Sequence, residues 1–240
     1  MNLVIDIGNT NVKVAIFNGD LLVNNKVLSS SKLIHYLKNL KFDSGIISNV
    51  GNQNLEKELL NIYPNLITLS TNLKFPIQFL YQSMDSIGKD RIANAMGAFF
   101  KNPNSNSLII DAGTCLTFDF IDSDNFYHGG AISPGLSMRF KSLSTFTEKL
   151  PLLSFNSASY NLIGFDTESS IVSGVVNGIV GEIKTIIKRY REKNQLLTVF
   201  FTGGDTEFIN TIVKFEKNGI FAVENLTMIG LNSILNYNDK

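Results

Sequence analysis

Apolar residues fall along this chain in short β-branched runs, and these alternate with longer stretches of helical period. Leu3-Val4-Ile5-Asp6-Ile7 is a run of the first kind and closes on Gly8-Asn9-Thr10. Val12 to Phe17 alternates and ends at Asn18-Gly19-Asp20, a turn signal because Asn and Gly tolerate positive φ. Leu21 to Val27 then predicts a third strand. Ser29 to Ser31 precede a predicted helix over Lys32 to Leu40, where a serine side chain can cap orphan amides. Ser44 to Ser48 predicts another strand, and Leu55 to Ile62 a helix that stops before Pro64. Three antiparallel strands followed by alternating helices and strands define a mixed α/β unit.

From Lys89 to Phe100 the period becomes 3.6. Ile92, Ala95, Met96 and Phe99 form an apolar face, with Asp90 and Asn94 at i and i+4 on another. The turn-rich segment Asn102 to Ser107 follows and divides the chain into expected domains 1–107 and 108–240. The opening pattern then returns. Leu108-Ile109-Ile110-Asp111 runs into Ala112-Gly113-Thr114, and strand-like runs follow at Cys115 to Ile121 and Phe126 to Ile132. An aspartate at a strand end, a glycine two residues on and a hairpin therefore occur twice. That is a two-copy repeat at domain scale, too long in period for a solenoid. Helices are predicted over Ser137 to Lys149, Thr167 to Arg191 and Glu224 to Tyr237, the last with Leu226, Ile229 and Leu231 or Ile234 spaced for burial. Leu196 to Phe201 predicts a strand entering Thr202-Gly203-Gly204-Asp205.

Composition narrows the function. The 240 residues are 44% hydrophobic and 18% charged, which excludes global disorder. Twenty-one basic residues balance twenty-one acidic ones, arguing against nucleic acid or an anionic membrane as the main partner. One cysteine, Cys115, and two histidines, His35 and His128, exclude an internal disulfide, a Cys-rich zinc site and a multi-His metal site. The start of the chain has no basic region or long apolar stretch, so no signal peptide is expected. Polar residues interrupt Ser170 to Ile187, so no bilayer span is expected there. The chain reads as soluble and cytoplasmic. It has no P-loop, no dinucleotide fingerprint and no nucleophile elbow.

What remains points to phosphate. Gly8 permits a tight turn whose amides can face a phosphate, and Thr10, Asn11 and Lys13 can donate to its oxygens. Asp6 at the strand end suits Mg²⁺ held through water. Alone, this is equally a capped turn with an acidic first residue. The second copy, Asp111-Ala112-Gly113-Thr114, favours two similar domains contacting one polyphosphate. Gly203-Gly204 after a strand lets a flat ring such as adenine approach the backbone, or simply starts a helix capped by Asp205. Gly129-Gly130 to Pro134-Gly135 suggests a strand end with close backbone approach, then a helix near Pro134. Asp90 sits in a first helical turn, where an acid is also merely stabilising. Beside Arg91 it has the composition that phosphorylation of a hydroxyl needs: a proton acceptor, and a fork for a substrate carboxylate. His35, His128, Cys115 and the Phe99-Phe100 and Phe200-Phe201 pairs read as structural.

The ordered set resembles the type III pantothenate kinases, small members of the actin, Hsp70 and sugar-kinase superfamily. It comprises Asp6-x-Gly8-Asn9-Thr10, Gly88-x-Asp90-Arg91-x-x-Asn94, Asp111-x-Gly113-Thr114, Gly129-Gly130-x-Ile132-x-Pro134-Gly135, Leu150-Pro151, Gly164-x-x-Thr167 and Ser173-Gly174, spread over nearly the whole chain. The resemblance implies an α/β fold of two similar ribonuclease-H-like domains, each a mixed sheet plus helices, facing each other across a nucleotide cleft. It implies ATP-dependent phosphorylation of pantothenate to 4′-phosphopantothenate, the first step towards coenzyme A. Asp90 then corresponds to the catalytic base, and Tyr81, Gly88, Lys89, Asp90, Arg91 and Thr167 to the pantothenate pocket. Asp6, Gly8, Asn9, Thr10, Asn11, Val12, Lys13 and Thr114 correspond to the ATP contacts. Asp111 corresponds to the ligand of a monovalent cation, K⁺ or NH₄⁺, and Mg²⁺ accompanies ATP. Members are homodimers with Thr167 near the interface. Cys115 replaces a common alanine, and Lys89 fills a variable position. The alternatives are another small-molecule kinase of the superfamily, for a sugar or polyol, or a non-catalytic ATP-binding regulator.

Overall fold

A computed structural model describes residues 1–8, 11–154, 160–194, 196–206, 209 and 219–239. Contacts divide them into two compact units: Met1–Pro103 with Asn125–Tyr127 and Asn225–Lys240, and Asn104–Asp124 with His128–Glu224.

The first unit is built on a five-stranded sheet. Its strands are β1 (Asn2–Ile7), β2 (Val12–Asn18), β3 (Leu21–Leu28), β4 (Ser44–Asn49) and β5 (Leu66–Thr68), in the order β3-β2-β1-β4-β5. β1 runs antiparallel to β2 and parallel to β4. A strand with neighbours on both edges and cover on both faces must be apolar nearly throughout, and β1 is: Leu3, Val4, Ile5 and Ile7 are fully buried. Leu3, Ile5 and Ile7 join a core with Leu33 and Leu37 of helix α1 (Ser30–Leu37) and Leu55 and Leu59 of α2 (Gln53–Ile62). Asn52 caps α2 by accepting from the amides of Asn54 and Leu55, each at 3.1 Å. Ser29 precedes α1 but makes no such bond; its hydroxyl meets that of Ser31 instead.

Helices α3 (Lys89–Lys101) and α6 (Leu226–Asn238) pack tightly together and against β4. Gly97 and Gly230 make the crossing possible. A Cβ on Gly230 would overlap the Ala93 carbonyl, and one on Gly97 would press on Leu226. The expected amphipathic α3 is corrected here. Every residue from Arg91 to Ala98 is buried, and Asn94 does not share a polar face with Asp90. Instead Asn94 Oδ1 accepts from Thr227 Oγ1 at 2.8 Å, the bond a buried amide requires. Helix α6 also brings Asn232 and Asn236 to the Asn2 side chain, at 2.9 and 2.7 Å. The contact-defined units thus depart from a 1–107 and 108–240 division mainly at this helix, which packs on the first unit.

The second unit repeats the plan. Strands β7 (Ser107–Ala112), β8 (Cys115–Ile121), β9 (Phe126–Pro134), β10 (Thr198–Thr202) and β11 (Ile220–Ala222) lie in the order β11-β10-β7-β8-β9. β7 is antiparallel to β8 and parallel to β10, which is parallel to β11. The strand order repeats that of the first sheet, and so do the directions of β7, β8, β10 and β11, so the repeat of strand-end aspartates is a repeat of topology. The short strand β6 (Gln78–Phe79) pairs with Phe126 and Tyr127 within the first unit. Helices α4 (Leu136–Thr145) and α5 (Thr167–Lys193) cover the core of the second unit. α5 is, among the described helices, the one long and apolar enough to cross a membrane. Its stripe of Ile171, Val175, Val176, Ile179, Ile183 and Ile187 is taken up by that core.

Gly230→Ala should cost about 2 kcal/mol, because two backbones must part to admit the methyl group. Gly181 of α5 has open space at its Cβ position, so Gly181→Ala should stabilise by about 0.5–1 kcal/mol. Urea midpoints distinguish the two, and equal midpoints would refute the close crossing of α3 and α6.

Candidate active site

In the first unit the strand ends bring chemistry together. Asp6, next to last in β1, lies opposite Lys13 of β2 and Ser48 of β4. The turn beyond β1 is closed by the Gly8 amide donating to the Asn11 carbonyl at 3.0 Å, leaving little room for a Cβ on Gly8. Asn9 and Thr10 lie outside the described residues, Val12 is buried, and Asn11 and Lys13 are exposed. Burial pushes the Asp6 carboxyl above its ordinary range. The Ser48 hydroxyl and Lys13 pull it back down, and the Asp90 carboxylate pushes it up again. Ser48 is fully buried and its Oγ completes no hydrogen bond of good geometry. Its closeness to Asp6 is therefore a matter of proximity, and the orphan hydroxyl is a buried donor without an acceptor.

Asp90, far from Asp6 in sequence, is thus its electrostatic neighbour in the same unit. It is exposed in the first turn of α3 and accepts from the Arg91 amide at 2.9 Å. Gly88 precedes the helix, where a Cβ would press on Asp90 Oδ1 at 2.5 Å. Lys89 is half-buried. Arg91 is only 5% exposed, and its guanidinium carbon lies 5.8 Å from the centre of the Tyr81 ring, within cation–π range. Tyr81 is backed in turn by Tyr127 and Phe79, with centroid separations of 6.4 and 5.2 Å along that chain of rings. Tyr81, Gly88, Lys89, Asp90 and Arg91 therefore belong to one neighbourhood. Tyr127, fully buried, holds it in place and was not singled out in the sequence.

In the second unit Asp111 occupies the place of Asp6. It is half-buried, opposite Thr117 of β8 and Thr202 of β10. Thr202 thus repeats the position of Ser48: a buried hydroxyl residue facing a strand-end acid. Only the strand order shows this, so spacing in the sequence gives no hint of it. The loop beyond is closed by the Gly113 amide on the Cys115 carbonyl at 3.0 Å, with Thr114 exposed. Gly203, at φ +100°, lies so near that a Cβ would overlap Asp111 Oδ1 and the Ala112 carbonyl. The Asp205 amide donates to that carbonyl at 2.8 Å. Burial alone raises the Asp205 carboxyl. Gly203 thus serves the approach of one loop to another, whereas Gly204 faces open space.

Thr167 stands elsewhere on the second unit. It opens α5 behind Asp166, whose carboxylate caps the helix by accepting from the Ser169 amide at 2.7 Å. It lines a groove of about 970 Å³ with Arg139, Leu143, Leu150, Gly164 and Phe165, none of them in the Asp111–Thr114 loop. Ser173 fixes the approach to this helix by donating to the Leu162 carbonyl at 2.7 Å. His35 is exposed on α1, and His128 Nε2 pairs with Asp122 Oδ2 at 2.6 Å. Cys115 is half-buried rather than fully buried, and Phe100 is 40% exposed while Phe200 and Phe201 are core. No cluster of three His, Cys, Asp or Glu side chains suited to a metal occurs among the described residues.

The fold is one that solved structures share. An activator of 2-hydroxyisocaproyl-CoA dehydratase from Clostridium difficile, with ADPNP bound, matches at TM-score 0.55 and 14% identity over 99% of this chain and 93% of its own. A conserved protein of the Baf transcriptional-activator family from Campylobacter jejuni matches at TM-score 0.66 and 26% identity, over 99% and 98%. The sequence is more specific. A family model for type III pantothenate kinase matches residues 2–189. The type III pantothenate kinase of Christiangramia forsetii is 44% identical over 99% of both chains, and that of Phocaeicola vulgatus 40% over the whole of both. The chain belongs to the type III pantothenate kinase family.

The raised Asp6 carboxyl has a consequence for stability. The fold favours its protonated form, so the linked stability is full below the unfolded value of 3.8 and is lost as pH rises through the higher folded value. In EDTA, Asp6→Asn should therefore melt above the parent at about pH 7, and the gap should narrow as pH falls towards about 4. Identical melting temperatures at neutral pH would contradict a buried, destabilised carboxylate.

Proposed function

We infer that the chain transfers the γ-phosphoryl group of ATP to pantothenate, forming 4′-phosphopantothenate in the first step towards coenzyme A. Full-length similarity to type III pantothenate kinases carries this reading. The meeting of Asp6 with Asp90 in one unit supports it chemically. Asp90, exposed at a helix start, accepts the proton of the attacking hydroxyl. Arg91, stacked on Tyr81, takes the substrate carboxylate through its fork. Gly88 and Lys89 border the acceptor, and Thr167 is assigned to the same substrate by its place in the family pattern. The turn from Asp6 through Gly8, Asn9, Thr10, Asn11 and Val12 to Lys13, and Thr114 in the second unit, contact the phosphates. Positioning and preset charge supply most of the rate in such a transfer.

The metals fit this chain in a limited way. The half-buried Asp6 carboxylate suits Mg²⁺ that arrives with the nucleotide and keeps its waters, since no protein cage is present among the described residues. Bound there, it offsets phosphate charge. Asp111, half-buried beside Gly203, is our candidate ligand for K⁺ or NH₄⁺.

The enzyme is a homodimer in this reading. Leu162, Ile163 and Phe165 are 79–82% exposed beside the Thr167 groove, and an apolar patch of that kind marks an interaction surface. The balanced charge and the buried stripe of α5 support a cytoplasmic enzyme without nucleic-acid or membrane partners. The Campylobacter relative carries the name of a regulator, so catalysis is the discriminating measurement.

Coupled ATP consumption should depend on pantothenate and on potassium or ammonium. Full activity in sodium alone would remove Asp111 from its role, and ATP binding without turnover of pantothenate would favour a regulator. Asp90→Asn should lower kcat by about 10²-fold or more with the fold intact. Arg91→Lys should raise KM for pantothenate about tenfold, and wild-type values in either variant would overturn that residue's assignment. Phe165→Asp should shift the mass in solution from dimer to monomer; an unchanged mass would remove this patch from the interface.

A further inference from the structure

The Asp111–Thr114 loop is closed by its own Gly113–Cys115 bond but is also held from outside. Its far side rests on the corner where β9 ends. The Gly135 amide donates to the Thr114 carbonyl at 3.2 Å, and a Cβ on Gly135 would overlap the carbonyl oxygens of Gly113 and Thr114. Corner and loop are therefore in backbone contact, and the position of one sets the position of the other. Pro134 cannot donate a backbone hydrogen bond, so the corner needs an external hold.

Arg139 supplies it from the first turns of α4. Its Nε donates to the Pro134 carbonyl at 2.8 Å, and its Nη2 donates to Ser133 Oγ at 2.9 Å. The same Nη2 pairs with the Glu182 carboxylate of α5. The two side chains are 19% and 25% exposed, so water screens the pair only in part. The planar fork suits this task, because it grips several acceptors at fixed angles, as an ammonium cannot. Arg139 also lines the Thr167 groove. With Nε and Nη2 committed to Pro134, Ser133 and Glu182, however, it is built as a brace rather than as a ligand for something in that groove.

We propose that Arg139, locked in place by Glu182, is a positioning residue for the nucleotide-phosphate loop, acting through the Ser133–Gly135 corner. This rests on reading Asp111–Thr114 as a phosphate contact. A loop displaced by about 1 Å loses its aim at the ligand while the core beneath it stays intact. The effect should fall mainly on ATP, because the bonds of Arg139 go to Ser133, Pro134 and Glu182 rather than to Thr167, the one acceptor residue of this unit, and the acceptor residues Tyr81 and Gly88 to Arg91 belong to the other unit.

The test is steady-state kinetics on the full chain, with ADP affinity measured by calorimetry. Arg139→Gln should raise KM for ATP and weaken ADP binding about tenfold, with KM for pantothenate within about twofold of the parent. Glu182→Gln should give a smaller change in the same direction. Arg139→Lys should recover part of the loss, since it reaches one acceptor at a time. If Arg139→Gln fails to fold, Arg139→Lys and Glu182→Gln carry the same comparison. An unchanged ATP KM, or both KM values rising together, overturns the proposal while leaving the kinase reading intact. A parent that binds ADP but does not turn over pantothenate overturns the kinase reading, and the order of ADP affinities still decides the role of Arg139. A parent that binds no ADP overturns both.

Discussion

Everything in this protein depends on where a buried strand is allowed to stop being apolar. The central strand of each sheet is covered on both faces and paired on both edges, so it can carry a carboxylate only near its end. Asp6 and Asp111 stand at that point. Water is scarce there, and burial holds the Asp6 carboxyl above its ordinary range. An acid kept in that condition is costly to the fold, and a strongly perturbed carboxyl of this kind marks a candidate functional site. The repeat of strand order carries the arrangement into both units, even to the hydroxyl residues Ser48 and Thr202 opposite each acid.

Glycine does the complementary work. At Gly203 and Gly135 the missing side chain lets one backbone segment lie directly on another, so that the Asp111 loop is shaped by segments distant in sequence. At Gly230 it lets α6 seat against α3, which carries Asp90 and Arg91 at its start. The same economy of side chain thus serves the Asp111–Thr114 loop in one unit and the helix that presents Asp90 in the other. Arg139 adds a brace where glycine and proline leave the backbone without a hold of its own.

Much of this was legible in the residues. Strands β1 to β4 of the first sheet, the hairpin at Gly19, helix α5 and the doubled Asp-x-Gly turn followed from period and turn chemistry, whereas the three-residue β5 carries too short a pattern to show. So did the grouping of Gly88 to Arg91, because those residues are adjacent in the chain. Other features ran against local pattern. Asn94 looks like a surface residue by its spacing from Asp90, yet a second helix covers it and Thr227 satisfies its amide. Ser29 has the chemistry of a cap but points its hydroxyl at Ser31. Tyr127 and Arg139 sit in segments with no motif of their own, and their roles come from rings and carbonyls supplied by other elements.

The sequence by itself determined most of the longer elements, the internal repeat and the candidate site residues. These depend on periodicity, backbone preference and side-chain chemistry, which act over a few residues at a time. Tertiary structure alone decided which acid neighbours which, that Arg91 is buried over Tyr81, that α6 returns to the first unit, and what holds the Asp111–Thr114 loop. Those outcomes are set by contacts between residues far apart in the chain, and no local pattern encodes the energy of a contact whose partner is not yet known.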